Sequence, residues 1–168
     1  HDQKEALSIA DRMAVLDDGH VLQVGSPVEI YKRPRTSHVA DFIGETNFIS
    51  AKVVRSGGGL VNIDTVLGNL NGVPGDPDHE FADGEAVQVS IRPECIKIDR
   101  YPAEENCFAG KIGDSVYYGE TAQYQFFCGE HEDCHLKIFE LNPRFLNRVG
   151  QSGLYGYVDP EDVVVLAS

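Results

Sequence analysis

Four side chains that bind soft or borderline metals fall within eight positions, Cys128-x-x-His131-x-x-Cys134-His135. Thiolates and imidazoles at such separations can close around zinc. The set sits in a hairpin loop expected over residues 129–133 and does not follow the usual Cys-x-x-Cys pairing. Glu130, Glu132 and Asp133 between them read as surface charge, so no residue is assigned as a metal ligand. A disulfide between Cys128 and Cys134 is geometrically conceivable, but a reducing compartment argues against it. Arg92 and Glu94 flank Pro93. An arginine–carboxylate pair can recognise a ligand, and the plainer reading is a turn-stabilising ion pair at a domain or dimer surface. Tyr117, Tyr118, Tyr124, Phe126 and Phe127 could cage a cation. Aromatic residues are also ordinary filling for β cores and cross-strand pairs, and that reading is preferred. Gly57-Gly58-Gly59 lacks the lysine and following helix of a phosphate loop and reads as a hairpin turn. No Gly-x-Ser-x-Gly elbow occurs, which speaks against an independent hydrolase.

Composition narrows the partners. Fourteen Lys and Arg against 27 Asp and Glu give a formal net charge of −13, a surface that repels phosphate backbones and disfavours nucleic acid. At 168 residues and 42% apolar content the chain can bury a real core, as one domain or as a small domain with a partial one. No apolar run approaches the roughly 20 residues that span a bilayer, and no secretory signal pattern is present. Four irregularly spaced cysteines do not make a disulfide framework, so a reducing compartment is the default.

The elements that must position these residues change character along the chain. Asp2 and Glu5 form a capping-box-like helix start, with Ala6, Ile9, Ala10 and Met13 at helical spacing for a buried face. Met13 to Leu16 suits a buried strand, Asp17 to His20 a turn, and Val21 to Val24 a second strand. Ser26-Pro27-Val28-Glu29 is a helix start with a cap, a proline at the first position and a completing glutamate. Pro34 ends that helix, and Thr36 or Ser37 starts another that Gly44 can terminate. After Gly44 helical spacing gives way to short strands. Candidates are Phe48 to Arg55, Leu60 to Asp64, Val66 to Asn71, Val87 to Ile91, Cys95 to Ile98, Phe108 to Tyr118, Thr121 to Cys128, His135 to Phe139, Gly153 to Tyr157 and Val163 to Leu166. Gly72 to Gly84 reads as a loop. The expected class is mostly β: five-stranded barrels of the oligonucleotide-binding (OB) type, as two half-domains that would share strands, preceded by a short α/β segment.

Two ordered sets of residues carry a family resemblance. His1-Asp2-Gln3-Lys4-Glu5-Ala6-Leu7, Ala10-Asp11-Arg12, Gly25 to Tyr31 and Phe42 to Asn47 resemble the end of the ATP-hydrolysing domain of ABC importers. Residues 84–98, with Ile91-Arg92-Pro93-Glu94, and the later Gly150-Gln151 with Val158-Asp159-Pro160-Glu161-Asp162-Val163, resemble the TOBE (transport-associated OB) module that follows that domain. The run Phe42 to Phe48 looks most like the spermidine/putrescine importer ATPases, with ferric-iron and sugar importers as rivals.

The resemblance implies a division into residues 1–45, the end of the nucleotide-binding domain, and residues 46–168, the TOBE domain. It implies a cytoplasmic ATPase subunit, peripheral on the inner face of the membrane, that dimerises around ATP and magnesium and drives permease subunits fed by a periplasmic or extracellular solute-binding protein. His1 matches the switch histidine that contacts the γ-phosphate, a role in which imidazole donates a hydrogen bond to the phosphoryl group. No phosphate loop and no Leu-Ser-Gly-Gly-Gln signature lies within these residues, so the chain alone is expected neither to hydrolyse ATP nor to hold a cofactor. The alternative is a free-standing OB-fold module that senses a small ligand or metal.

Overall fold

The structure, a computed structural model, describes residues 8–129 and 134–168. A β-hairpin opens it: β1 (Met13–Asp17) pairs antiparallel with β2 (His20–Gly25). Only Val15 of its aliphatic side chains is fully buried, while Leu16, Val21 and Val24 are exposed; the strand expected to be buried is covered on one side only. Ile9, expected on a buried helix face, is 76% exposed. Two short helices follow. α1 (Pro27–Lys32) starts on the expected capping box, with Ser26 and Glu29 bonded reciprocally. α2 (Ser37–Ile43) starts on Thr36, whose hydroxyl accepts from the Val39 N–H at 3.2 Å. Val15, Ile30, Val39 and Ile43 form a small core of their own.

The remainder is two five-stranded β units that share no strand, against the expectation of shared ones; the second, within residues 97–157, is inserted whole ahead of the last strand of the first. The first is a closed barrel in the order β12-β5-β4-β3-β6, made of β3 (Asn47–Gly57), β4 (Leu60–Thr65), β5 (Gly68–Pro74), β6 (Ala86–Ile91) and β12 (Val163–Ala167). The last strand shuts it, lying antiparallel to β6 and parallel to β5. This explains why Val163-Val164-Val165-Leu166 is apolar without alternation. Val163 and Val165 join the main core, and Val164 and Leu166 lie under Ala40 of α2. The second unit is an open sheet in the order β10-β9-β8-β11-β7, with β7 (Lys97–Asp99), β8 (Cys107–Tyr117), β9 (Thr121–Cys128), β10 (His135–Leu141) and β11 (Leu154–Tyr157). One continuous core runs through both units, from Ile49 and Val89 to Phe108 and Phe126.

The chain crosses from barrel to sheet through a 3-10 turn at Pro93–Cys95 and returns through another at Pro160–Asp162. Several expected boundaries shift: Cys95, expected to open a strand, lies in the 3-10 turn and β7 starts at Lys97, and the two shifts at β5 have a visible cause. β5 begins at Gly68 and not at Val66, because the Thr65 hydroxyl donates to the Gly68 carbonyl and accepts from the Leu67 N–H, making a turn there. β5 also runs on to Pro74, into the expected loop, because β12 pairs with Val73 and Pro74.

Candidate functional site

The two crossover turns lie side by side, and α1 holds both. The Tyr31 hydroxyl donates to the Glu94 carboxylate in the first turn. Arg33, just past the helix, donates to the Glu161 carbonyl at 2.6 Å and its carboxylate at 2.5 Å in the second. Between them sits the Cys95 thiol, pushed up to about 12 by burial and by the neighbouring carboxylates of Asp162 and Glu94. Burial and the Glu94 contact likewise raise the Tyr31 phenol above its ordinary value.

Arg92 is the centre of this junction. It is buried, and its Nη1 donates to the carbonyls of Ala40 at 3.0 Å, Gly44 at 2.7 Å and Glu45 at 3.0 Å. Its Nη2 reaches the Tyr31 carbonyl at 3.4 Å, and its guanidinium stacks 4.4 Å from the Tyr31 ring centre. A barrel arginine thus caps the C-terminal end of α2, where free carbonyls and the helix dipole favour a cation. Burial lowers the Arg92 pKa from its ordinary value, and the guanidinium stays charged. The expected Arg92–Glu94 ion pair is not formed: Glu94 takes the tyrosine hydroxyl, and Arg92 takes carbonyls. At Gly44 a Cβ would stand 3.3 Å from the Tyr31 ring, a tight contact. Gly75 is tighter, with a Cβ position 2.3 Å from the Pro34 carbonyl oxygen.

A second tie joins the barrel to the open sheet. Asn47, buried at the start of β3, accepts from the Lys137 N–H at 2.8 Å and donates to the Lys137 carbonyl at 2.9 Å. Its side-chain amide mimics a peptide group on the free edge of β10. Beside it opens a cleft of about 550 Å³ between α2, β3 and the outer face of β8–β10, lined by Asp41, Glu45, Asp114, Gln123, Gln125 and Lys137. Lys137 is paired with Glu45 at 3.1 Å. Among the described residues no buried side-chain nitrogen or oxygen lacks a partner, so nothing in the cleft demands a ligand.

The other candidate residues are not drawn together. His1 and His131 lie outside the described residues. Cys128 and Cys134 face each other across β9 and β10, the Cys128 N–H donating to the Cys134 carbonyl at 2.9 Å. Burial raises both thiols. His135 stands next to Cys134 on the opposite face, against the Phe127 ring. The described residues contain no cluster of metal-binding side chains. Tyr124 and Phe126 are core, and Tyr117 and Tyr118 are exposed, so the aromatic set builds no cage. Sequence reasoning missed Tyr31, Arg33, Glu161 and Asn47. The usable signal was the repeated x-Pro-Glu at both crossovers.

No protein-family model matches the chain. Curated relatives do. The spermidine/putrescine import ATP-binding protein PotA of Pseudomonas fluorescens is 44% identical over 130 residues, 77% of this chain and 34% of that protein. Its namesake in Marinobacter nauticus is 35% identical over 164 residues, 95% of this chain and 43% of that protein. The chain belongs to the ATP-binding subunits of ABC importers. It matches their C-terminal part and spans about a third to two fifths of their length.

Among solved structures, the cytoplasmic molybdate-binding protein ModG, with molybdate bound, superposes with a TM-score of 0.58 over 73% of this chain and 96% of that one. At 13% identity that is a likeness of fold, and it agrees with a TOBE-type, OB-like β architecture in this importer-family chain. No helix among the described residues is long and apolar enough to cross a membrane.

Proposed function

We propose that this chain is the coupling and regulatory part of the ATP-binding subunit of a polyamine importer. The parent subunit would pair with a second copy, bind ATP and magnesium between the two, and drive permease subunits supplied by a solute-binding protein. It would work on the cytoplasmic face of the membrane. Residues 1–45 would close the nucleotide-binding domain, and residues 46–168 would form the TOBE domain. His1 would be the switch residue that donates to the γ-phosphate, aligning an in-line attack without itself reacting.

The observation that carries this reading is the clasp in a chain of this family. α1 grips both crossovers, and Arg92 caps α2, so a displacement of the helices would be passed to the β units through these contacts. Nothing in the clasp makes or breaks bonds; its chemistry is positioning. The polyamine assignment is supported by the names of the relatives.

The test uses the full-length subunit with its permease in proteoliposomes, following spermidine uptake and ATP hydrolysis together. His1→Ala should slow hydrolysis by about two to three orders of magnitude. Tyr31→Phe combined with Arg33→Ala should leave hydrolysis nearly intact while uptake per ATP falls about fivefold or more. Uptake per ATP equal to wild type would remove the coupling role. A gene that starts next to His1, with no phosphate loop upstream, would favour the free-standing sensor module.

A further inference from the structure

We propose that Cys128 and Cys134 form a redox-active dithiol, which a small disulfide such as oxidised glutathione closes into a reversible cross-strand disulfide between β9 and the start of β10. The β9–β10 ladder sets His135 opposite Phe127 and Leu136 opposite Phe126. One step further along that register Cys134 stands opposite Cys128, and the Cys128 N–H donates to the Cys134 carbonyl at 2.9 Å. Directly opposed residues that share such a bond have Cα atoms about 5.5 Å apart, the separation that a disulfide prefers. Their side chains leave the ladder on one face, where both pack on the main core. There the two thiols are in hydrogen-bonding contact with each other. Of the four cysteines no other two are so placed: the Cys95 thiol is bonded to Asp162, and Cys107 lies opposite Tyr157 on β11.

The two thiols have different parts. Cys128 is buried, whereas Cys134 is partly exposed and can meet a reagent. Burial raises the Cys134 pKa, but a hydrogen bond from Cys128 opposes that, so Cys134 becomes a thiolate more readily than its partner. The Cys134 thiolate attacks one sulfur of oxidised glutathione, forming a mixed disulfide and releasing one glutathione thiolate. Cys128 then gives up its proton and attacks the Cys134 sulfur, expelling the second glutathione. The protein loses two electrons and two protons, and one oxidised glutathione becomes two reduced ones. Scarce thiolate at neutral pH makes the reaction slow, and a pair held in contact favours closure over a standing mixed disulfide. A compartment that keeps its glutathione reduced leaves the pair open; a rise in the oxidised form closes it. Closure pins the edge strand β10 to β9 three residues before Lys137, the residue that Asn47 ties to the barrel.

This chemistry is independent of the transport reading and is tested on the intact chain. The chain is incubated in mixtures of reduced and oxidised glutathione, quenched in acid, alkylated and mapped by mass spectrometry. A Cys128–Cys134 crosslink should form as the oxidised share rises, and dithiothreitol should reverse it. The crosslinked chain should melt about 5 °C higher than the reduced one, because the bond closes a loop in the unfolded chain. In Cys128→Ala the reaction should stop at glutathione joined to Cys134. In Cys134→Ser the buried Cys128 should react about tenfold or more slowly than Cys134 does in the wild type. Circular dichroism checks that both variants keep the fold, and the wild-type map stands without them. Free Cys128 and Cys134 thiols after prolonged exposure to oxidised glutathione alone overturn the proposal. So does a mixed disulfide at Cys134 that never closes in the wild type, a crosslink through Cys95 or Cys107, or a crosslinked chain that melts lower than the reduced one.

Discussion

The two β units have the same number of strands and treat their edges in opposite ways. The closed barrel has no free edge: β12 returns from the end of the chain and pairs on both sides, with β5 and with β6. The open sheet keeps β10 and β7 at its margins, and β10 is tied to the barrel by the shared core and by the buried side-chain amide of Asn47. Backbone pairing closes the barrel on itself, whereas the open sheet leaves the β10 edge to a side chain. The residues with raised pKa values fall on the same divide. Tyr31, Cys95, Tyr124, Cys128 and Cys134 all lie outside the barrel strands. The clasp sits where the chain leaves one unit and returns to it.

The largest break in this comparison is removal of β12. Deleting residues 163–168 strips four buried side chains, Val163, Val164, Val165 and Leu166. At about 1.5–3 kcal/mol each this rivals the 5–15 kcal/mol that hold a typical domain. No cooperative unfolding transition should remain in urea. Next, Asn47→Ala should cost about 2–3 kcal/mol, because the Lys137 N–H and carbonyl lose their partner. Hydrogen exchange at the Lys137 amide should accelerate while barrel amides such as Val89 and Val165 keep their relative order.

Alkaline pH should weaken the sheet and junction before the barrel. Thiols with an ordinary pKa of 9.0 ionise first in the unfolded chain, whereas burial holds Cys128 protonated in the fold and Cys95 is pushed up to about 12. Above pH 9 the unfolded chain therefore binds fewer protons than the folded one, and stability falls as pH rises toward 12; below pH 9 these groups change nothing. Urea titrations at neutral pH and near pH 10 should differ by about 1–2 kcal/mol, and Cys128→Ala should reduce that difference. The smallest effect is Tyr31→Phe, which removes one hydrogen bond to the exposed Glu94 and should cost about 1 kcal/mol or less by thermal melting.

How much of this was legible depends on how local the cause is. Ser26 and Glu29 bond across three positions, so the start of α1 could be read directly. Val87, Val89 and Ile91 alternate, and the strand follows. Closure by β12 could not be read, because its pairing with Val73 and Pro74 spans some ninety positions that no periodicity records. Arg92 was visible as a residue and misread as a partner for Glu94. Its true partners are main-chain carbonyls about fifty positions earlier, and a carbonyl has no letter in a sequence. Gly44 was expected to end α2 by its conformational freedom. Its φ of 170° is extended backbone open to any residue, and what sets the position apart is the tight approach to the Tyr31 ring. The Cys128–His135 run shows the converse: its spacing is suggestive, but strand alternation sends Cys134 and His135 to opposite faces.

The central claim is that Arg92 makes the two helices part of the β body. Native-state hydrogen exchange on the intact chain tests it most directly. In the wild type, Ala40 in α2 and Val89 in β6 should exchange through openings of the same free energy, with one shared dependence on denaturant. In Arg92→Ala the Ala40 amide should exchange through a separate opening about 2–4 kcal/mol easier, with Val89 little changed. A wild-type Ala40 that already exchanges far more readily than Val89, and is unaffected by Arg92→Ala, would contradict the account.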